Sequence, residues 1–495
     1  MTSQNSIILT ASQQRAMAQM QAFVHDSSVR CFVLTGYAGT GKTTLMHTLI
    51  QYLKQQNITY CLLSSTGRAA KILSNYTGET AGTVHHLIYS YNGFNKDLSD
   101  AKDDITADEV GQLYLNFELS THNSEEDDSI IYIVDEASMI ADYAGTQIIQ
   151  ALFGSGRLLK DLFDHDLRPE SKFIFVGDPC QLPPISSSIS PALSPDYLQH
   201  TFGYATQHVM LTEIMRQKGD SSIIQAANSI RKLWGHAPET EDYYRVKVWG
   251  KLPITQYADI HFLPTVEDMI NLQVQLIKEY GYNESTFICQ SNKDCSRISH
   301  EIRNRLGRIG GIQPQDLLMV TQNQLTTGLM NGDMLEVVSV NPKHERVMVD
   351  TKQHYRTELY FVEITVRELV TGREYTTLIL ETLLDTVHAN LDARQQTGLF
   401  LDFIMRMKAQ GITQKKDKLA FDKALRDDPY LNALRCSYGY AITCHKAQGG
   451  EWNSVFIYPM RNIMLNPTKA NYQWIYTAVT RAKKNVYLYK DFYYC

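Results

Sequence analysis

No stretch of the 495 residues approaches the roughly 20 consecutive apolar residues that cross a bilayer, which excludes a membrane-spanning helix. Cysteine is sparse and scattered. Eight residues from Cys31 to Cys495 include no CxxC pair, which argues against a zinc site or a disulfide framework and suits reduced thiols in a cytoplasm. The first residues, MTSQNSIILTASQQ, lack a basic segment followed by a long apolar one, so no secretory signal is expected. There is no internal repeat and no low-complexity tract. Net charge is small, −6, which at first argues against a polyanionic partner. The average conceals an asymmetry. Between Gly93 and Asp128 there are eleven acidic residues and two lysines, a local −9, which leaves −6 − (−9) = +3 for the remainder. Local basic grooves, not overall charge, decide whether a protein holds nucleic acid.

What is present is enough apolar material, 43% of residues, for several cores, and the length implies two to four domains. RCFVLT reads as a short buried strand; GYAGTGKTT and a helix with apolar spacing, LMHTLIQYLKQQ, follow it. A second strand–helix step runs through ITYCLLSS and a helix from Arg68 towards Asn75. IIYIVD and KFIFVGD are further apolar runs, each ending in a polar tip, the pattern of an open parallel sheet with chemistry at strand C-termini. The acidic stretch from about Tyr91 to Ser129 interrupts this sheet. Alternation of Leu113, Leu115, Phe117 and Leu119 allows a small hairpin there, and an acidic loop is the alternative. After Arg216 the pattern restarts with STFICQSN as strand and CSRISHEIRNRLG as helix. Strands then cluster at LMVTQNQ, GDMLEVVSV, RVMVD and YFVEITV, a β-rich insertion resembling a small barrel, and a charged helical stretch follows from Asp402 to Asp428.

Gly36 to Thr43 fits GxxxxGK[ST] between a strand and a helix, the context a phosphate-binding loop requires. Glycines let successive backbone N–H groups face phosphate oxygens, and the helix N-terminus adds partial positive charge. Candidate contacts are Gly36, Gly39, Thr40, Gly41, Lys42, Thr43 and Thr44, with Lys42 at the β- and γ-phosphates and Thr43 on Mg²⁺. Asp135 and Glu136 follow a strand, where one carboxylate can hold the metal and the other orient and deprotonate water. The pair alone is weak evidence; at a buried strand tip downstream of such a loop it is strong. Gln181 in FIFVGDPCQLPPI follows a further strand, and an amide there can sense the γ-phosphate without taking a proton. On its own that segment reads as a turn needing Gly and Pro.

GYAGTGKTT, STGRAAKIL, GTVHHL, YIVDEASM, FVGDPCQLPP, LTEIMRQ, AITCHKAQGGEW and YTAVTRAKK, in that order from Gln13 to about Lys484, resemble the motif set of superfamily-1 helicases. The branch they are most similar to is the 1B type that contains RecD, the Pif-type enzymes and the phage helicase Dda. The resemblance implies an α/β fold with two RecA-like parallel-sheet P-loop domains, a small insertion in the first and a β-rich SH3-like barrel insertion in the second. The division expected is 1–90 with 130–215 for the first domain, 91–129 for its insertion and candidate pin, 216–312 with 433–495 for the second domain, and 313–432 for the β-rich insertion. It implies ATP and Mg²⁺ as cofactors, and a 5′→3′ DNA helicase or translocase that acts as a monomer on single-stranded DNA and single-strand/duplex junctions in the cytoplasm, alongside replication or repair proteins.

Roles carry over at matching positions. Gln13 resembles the glutamine that reads the adenine edge, with Gln14 blurring the register by one. Arg216 and Arg481 resemble two arginine fingers, which in measured systems are worth roughly 10³–10⁵ in rate. Glu451 resembles the ribose contact. Thr66, Gly67, Arg68, Thr83 and His85 resemble the backbone-phosphate contacts of the first domain, and Thr443, His445, Lys446 and Gln448 those of the second. Hydroxyls, amides and cations on phosphates grip without sequence preference. The chain departs from some relatives at Met215, where an aromatic stacks on adenine, so the adenine platform is unassigned. Phe117 and Tyr114 are the candidates for a stacking tip on the pin. Two other readings stay open: a partner-dependent translocase of the RecD kind, and a nucleotide-switched binding protein without processive unwinding. RNA stays open as a target, since phosphate-tracking motifs say little about the sugar. No nuclease-like carboxylate cluster lies outside the ATPase motifs and the acidic insertion.

Overall fold

A computed structural model describes residues 9–94, 115–121, 129–143, 151–213, 221–238, 252–324, 326–350, 356–387, 390–459, 468–491 and 494. In the first domain six strands form a wholly parallel sheet, ordered Ala81–Thr83, Tyr60–Ser64, Ile131–Asp135, Lys172–Gly177, Cys31–Gly36, Thr206–Leu211. Cys31–Gly36 is buried at every position, as a central strand covered on both faces must be. Its side chains alternate between two cores. Phe32 and Leu34 join Ile174 and Val176 beneath the helices Ala11–His25 and Lys42–Gln55, while Cys31 and Val33 join Phe173 and Phe175 on the other face. The register Val33↔Phe175 sets the C-terminal tips of these two strands level. All the polar tips identified in the sequence therefore emerge along one edge, where ligands bind in open α/β sheets.

A second parallel sheet of five strands follows the order Ile260–Leu263, Ala482–Tyr489, Trp452–Tyr458, Ser285–Cys289, Ala441–Thr443. The two RecA-like domains expected from the sequence are thus both present. Inserted in the second domain, between its strands Ser285–Cys289 and Ala441–Thr443 in the chain, lies an antiparallel sheet, Glu374–Leu380, Arg356–Glu368, Met334–Asp350, Leu317–Val320, Cys436–Tyr438. It occupies the place of the expected β-rich insertion, with three differences. GDMLEVVSV and RVMVD are parts of one long strand, Met334–Asp350, with register shifts at two points. Cys436–Tyr438, placed by the expectation in the second RecA-like domain, pairs with Leu317–Val320 instead. The charged helical stretch is two helices, Ala393–Ala409 and Lys418–Asp427; Gly411, at φ +77, follows the first, a backbone conformation only glycine adopts at little cost.

Within the first domain's insertion, Tyr89–Phe94 pairs antiparallel with Leu115–Leu119. Ala151–Phe153 adds to it in parallel, beyond the boundary expected for the insertion. Phe117 stacks on Phe153 with centroids 4.7 Å apart, so its ring is a packing element of this sheet and not a free tip. Leu113, Tyr114 and most of the acidic residues lie outside the described residues. Leu115 packs against a cluster of Phe403, Met407, Phe421 and Leu425, so the two insertions touch. Among the described residues no helix is long and apolar enough to cross a membrane.

Candidate nucleotide cleft and nucleic-acid track

The loop between Cys31–Gly36 and the helix Lys42–Gln55 turns through Gly39 (φ +79) and Gly41 (φ +78), conformations a Cβ would strain. Thr40 Oγ1 donates to the Tyr37 carbonyl (2.8 Å), tightening the turn. Lys42 Nζ sits in the mouth of the loop, donating to the carbonyls of Gly36 (2.6 Å) and Tyr37 (3.2 Å). Thr43 lies on the first helical turn, half-buried, whereas the Thr44 hydroxyl is turned to Tyr76 OH, 3.3 Å away. Gln13 belongs to a capping box with Thr10, and its Nε2 donates to the Thr40 carbonyl (3.2 Å). Gln14 is exposed and donates to Leu9 (3.1 Å). The register left open by the sequence is thereby resolved: Gln13 faces the loop.

Asp135 ends its strand, and Glu136 follows it in the left-handed region at φ +51, a strained conformation of the kind that collects at functional sites. Burial, and then the charge of Glu136, raise the Asp135 acid well above the usual carboxylate range, while Lys42 opposes the rise. Two half-buried neighbouring carboxylates suit a divalent cation, which relieves the repulsion that otherwise favours a proton. Oriented to satisfy both neighbours, the Gln181 amide donates to Glu136 Oε2 (3.2 Å) and accepts from Arg481 Nη2 (3.1 Å). Glu136 and Gln181 come from the first domain and Arg481 from the second, where its Nε also donates to the Thr477 carbonyl (3.2 Å). The bridge spans the cleft.

Other bonds make the same crossing. Tyr476 OH donates to Asp178 Oδ2 (2.7 Å) and accepts from the phosphate-loop amide of Ala38 (3.0 Å). Burial raises the Asp178 acid, opposed first by Lys42. Leu182 N donates to Thr477 Oγ1 (3.0 Å), and the Leu182 carbonyl accepts from Gln448 Nε2 (3.1 Å). The Arg231 guanidinium lies 3.9 Å from the Tyr37 ring centroid. Glu451 is exposed and pairs with Lys483 at 3.3 Å. Arg216 and Met215 lie outside the described residues.

Along the expected track, three threonines cap helices. Thr66 accepts from Ala69 N, Thr83 from His86 N, and Thr443 from Lys446 N. Gly67 abuts Met330, leaving no room for a side chain. Arg68 stacks on Trp452 (4.3 Å) with Nε and Nη1 buried and unpartnered, so it is tucked into the second domain instead of standing in an open groove. His85 is enclosed with Tyr89 and Phe153, and burial lowers it to about 4. Burial also lowers His445 and Lys446, and Lys446 lines a small cavity with Thr443, Asn292, Ser296 and His300. Gln448 is buried and serves the domain contact through Leu182.

With that geometry in view, residues 8–247 match the family model described as an AAA domain, and residues 438–489 match a UvrD-like helicase C-terminal domain. In sequence the chain is similar to superfamily-1 helicases of the RecD type. An ATP-dependent RecD2 DNA helicase of Deinococcus radiodurans is 29% identical over 233 residues, covering 46% of this chain and 26% of that protein. The chain thus spans about a quarter of that relative's length. The RecD subunit of the RecBCD enzyme of Buchnera aphidicola is 21% identical over 92% of this chain and 69% of its own. A solved structure of Pif1 helicases at forked duplex DNA aligns over 98% of this chain and 92% of that one, at 18% identity and a TM-score of 0.47.

Several cleft residues carry little signal in the sequence. Tyr476 and Trp452 sit inside the segments QWIYTAVTR and GGEW, yet an aromatic near a motif reads first as core. Arg231 carries no local signal at all; only the fold brings it to Tyr37.

Proposed function

We propose that this helicase-family chain is an ATP-dependent DNA helicase or translocase that moves 5′→3′ on single-stranded DNA and couples hydrolysis between its RecA-like domains to strand separation. The observation that supports this most is the Glu136–Gln181–Arg481 bridge. A carboxylate able to activate water is joined by one neutral amide to a cation able to stabilise charge on the transferred phosphoryl group. Hydrolysis then depends on closure of the two domains, and closure is motion. Lys42 supplies positive charge at the β- and γ-phosphates, and Gln13 stands beside the loop for the adenine edge. Mg²⁺, held by Thr43 and Asp135, would neutralise phosphate charge. Glu136 takes the proton of the attacking water, Gln181 reports phosphate occupancy to Arg481, and Arg216 is the proposed second finger.

Thr66, Thr83, Thr443, His445 and Lys446 are proposed to hold backbone phosphates, the capping threonines by presenting helix N-termini. The relative named a RecD subunit supports a second reading, a translocase that needs partners to unwind. Unwinding of one duplex carrying either a 5′ or a 3′ single-stranded tail tests both. Unwinding from the 5′ tail alone is expected. Unwinding from the 3′ tail alone would overturn the direction, and strong DNA-stimulated hydrolysis without unwinding would favour the partner-dependent translocase.

A further inference from the structure

The helix Gly67–Thr77 belongs to the first domain, yet its opening turns are seated in the second. A methyl on Gly449 would lie 2.7 Å from Ala69 Cβ, and one on Gly450 would lie 2.9 Å from Arg68 Cζ. One turn beyond Arg68, on the same face, Lys71 enters the edge of the β-rich insertion. Its Nζ donates to Asp333 Oδ2 (2.5 Å) and Glu368 Oε1 (2.8 Å). Both carboxylates have side chains only 1% exposed, and Lys71 itself is 18% exposed. Each keeps one further bond, Asp333 from Met330 N (2.7 Å) and Glu368 from Thr371 Oγ1 (2.6 Å), but Lys71 alone among the described residues forms an ion pair with them. Without it, two anions would stand buried side by side, an arrangement far costlier than a pair removed whole.

We propose that Lys71 is a positioning residue for hydrolysis, an interdomain clamp that holds the closed cleft by neutralising Asp333 and Glu368. The path to the chemistry is short. Lys71 fixes the helix; the helix presses Arg68 against Trp452 and Gly450; and the Gly450 carbonyl accepts from Arg481 Nη1 (3.4 Å). Arg481 reaches Gln181 only while that seat is made. The clamp also ties the β-rich insertion to the first domain, so each opening of the cleft must break it. This inference rests on the helicase reading for its kinetic consequence, but not for its structural one.

Two measurements on the full chain test it: steady-state ATP hydrolysis at saturating single-stranded DNA, and hydrogen exchange of residues 67–77 and 326–334. Lys71→Met is expected to lower kcat roughly tenfold or more, with KM for ATP changing less than about twofold, since the phosphate loop lies elsewhere. Exchange should quicken in both segments and not in the strand Cys31–Gly36. Adding Asp333→Asn and Glu368→Gln to Lys71→Met should recover most of the lost kcat, and Lys71→Arg should lose less than Lys71→Met. Unchanged kcat and exchange in Lys71→Met would overturn the clamp, as would loss without recovery on neutralising the carboxylates. If the unmodified protein shows no DNA-stimulated hydrolysis, the helicase reading fails, and exchange alone still decides the clamp.

Discussion

The proposed nucleotide cleft and the proposed nucleic-acid track are built on different plans. In the cleft, side chains from the two domains reach one another: Gln181 joins Glu136 to Arg481, and Tyr476 joins Asp178 to Ala38. Along the track, the candidate side chains turn back to their own helices, with Thr66, Thr83 and Thr443 each serving as a cap. The cleft is organised by side-chain networks and the track by backbone geometry. A network fails when one member is lost, whereas a cap is worth about 1 kcal/mol and its loss leaves the loop largely in place.

That contrast can be attacked from its strong end. Glu136→Gln should cut hydrolysis about 10²–10⁴-fold while nucleotide affinity stays near that of the parent, measured by single-turnover kinetics and titration with a fluorescent nucleotide. Comparable loss of affinity would mean that Glu136 binds instead of activating water. On the track, Lys446→Ala should reduce the slope of log affinity against log salt by about one, reflecting a single phosphate contact, with hydrolysis at saturating DNA largely retained. An unchanged slope would remove Lys446 from the track. Thr443→Val should lower stability by about 1 kcal/mol in chemical denaturation, with Thr443→Ser close to the parent. Equal losses in the two variants would argue against a capping role for the hydroxyl.

The smallest effect is expected at His85. A histidine gripping phosphate through its charge would strengthen DNA binding as pH falls through about 6.5. His85 is instead lowered to about 4 by burial and stays neutral above that value. The affinity ratio of parent to His85→Asn, read by anisotropy of a labelled oligonucleotide, should therefore hold constant from about pH 8 to pH 5.5. A ratio that grows as the solution is acidified would show that His85 carries charge on the track.

The same contrast explains what could be read in the sequence. Lys42, Asp135, Glu136 and Gln181 each follow a short apolar run, and a polar residue at the tip of a buried strand is visible without a structure. Lys71, Trp452 and Tyr476 were within quoted segments but had no visible partners, because Lys71 and Asp333 are 262 residues apart. Gln13 was distinguishable from Gln14 only once the capping box fixed the helix register. Arg68 stands in a segment with a visible motif pattern, but its enclosure by Trp452 depends on two domains meeting. In the fold, the parallel sheets were legible from βα alternation. Ala151–Phe153 was not, since a three-residue strand in an added sheet offers too short a pattern to detect period 2.

The bond from Ala38 to Tyr476 spans 438 residues of chain. A ribosome therefore finishes the phosphate loop hundreds of residues before it makes the hydroxyl that completes the loop's hydrogen bonding, while domains otherwise fold in order of synthesis. A nascent chain carrying only the first domain owns the loop's sequence but not its finished form. The loop's hydrogen bonding is thus completed only late in synthesis, when the helix Lys469–Val479 docks, and under the proposed function nucleotide hydrolysis would wait for that step.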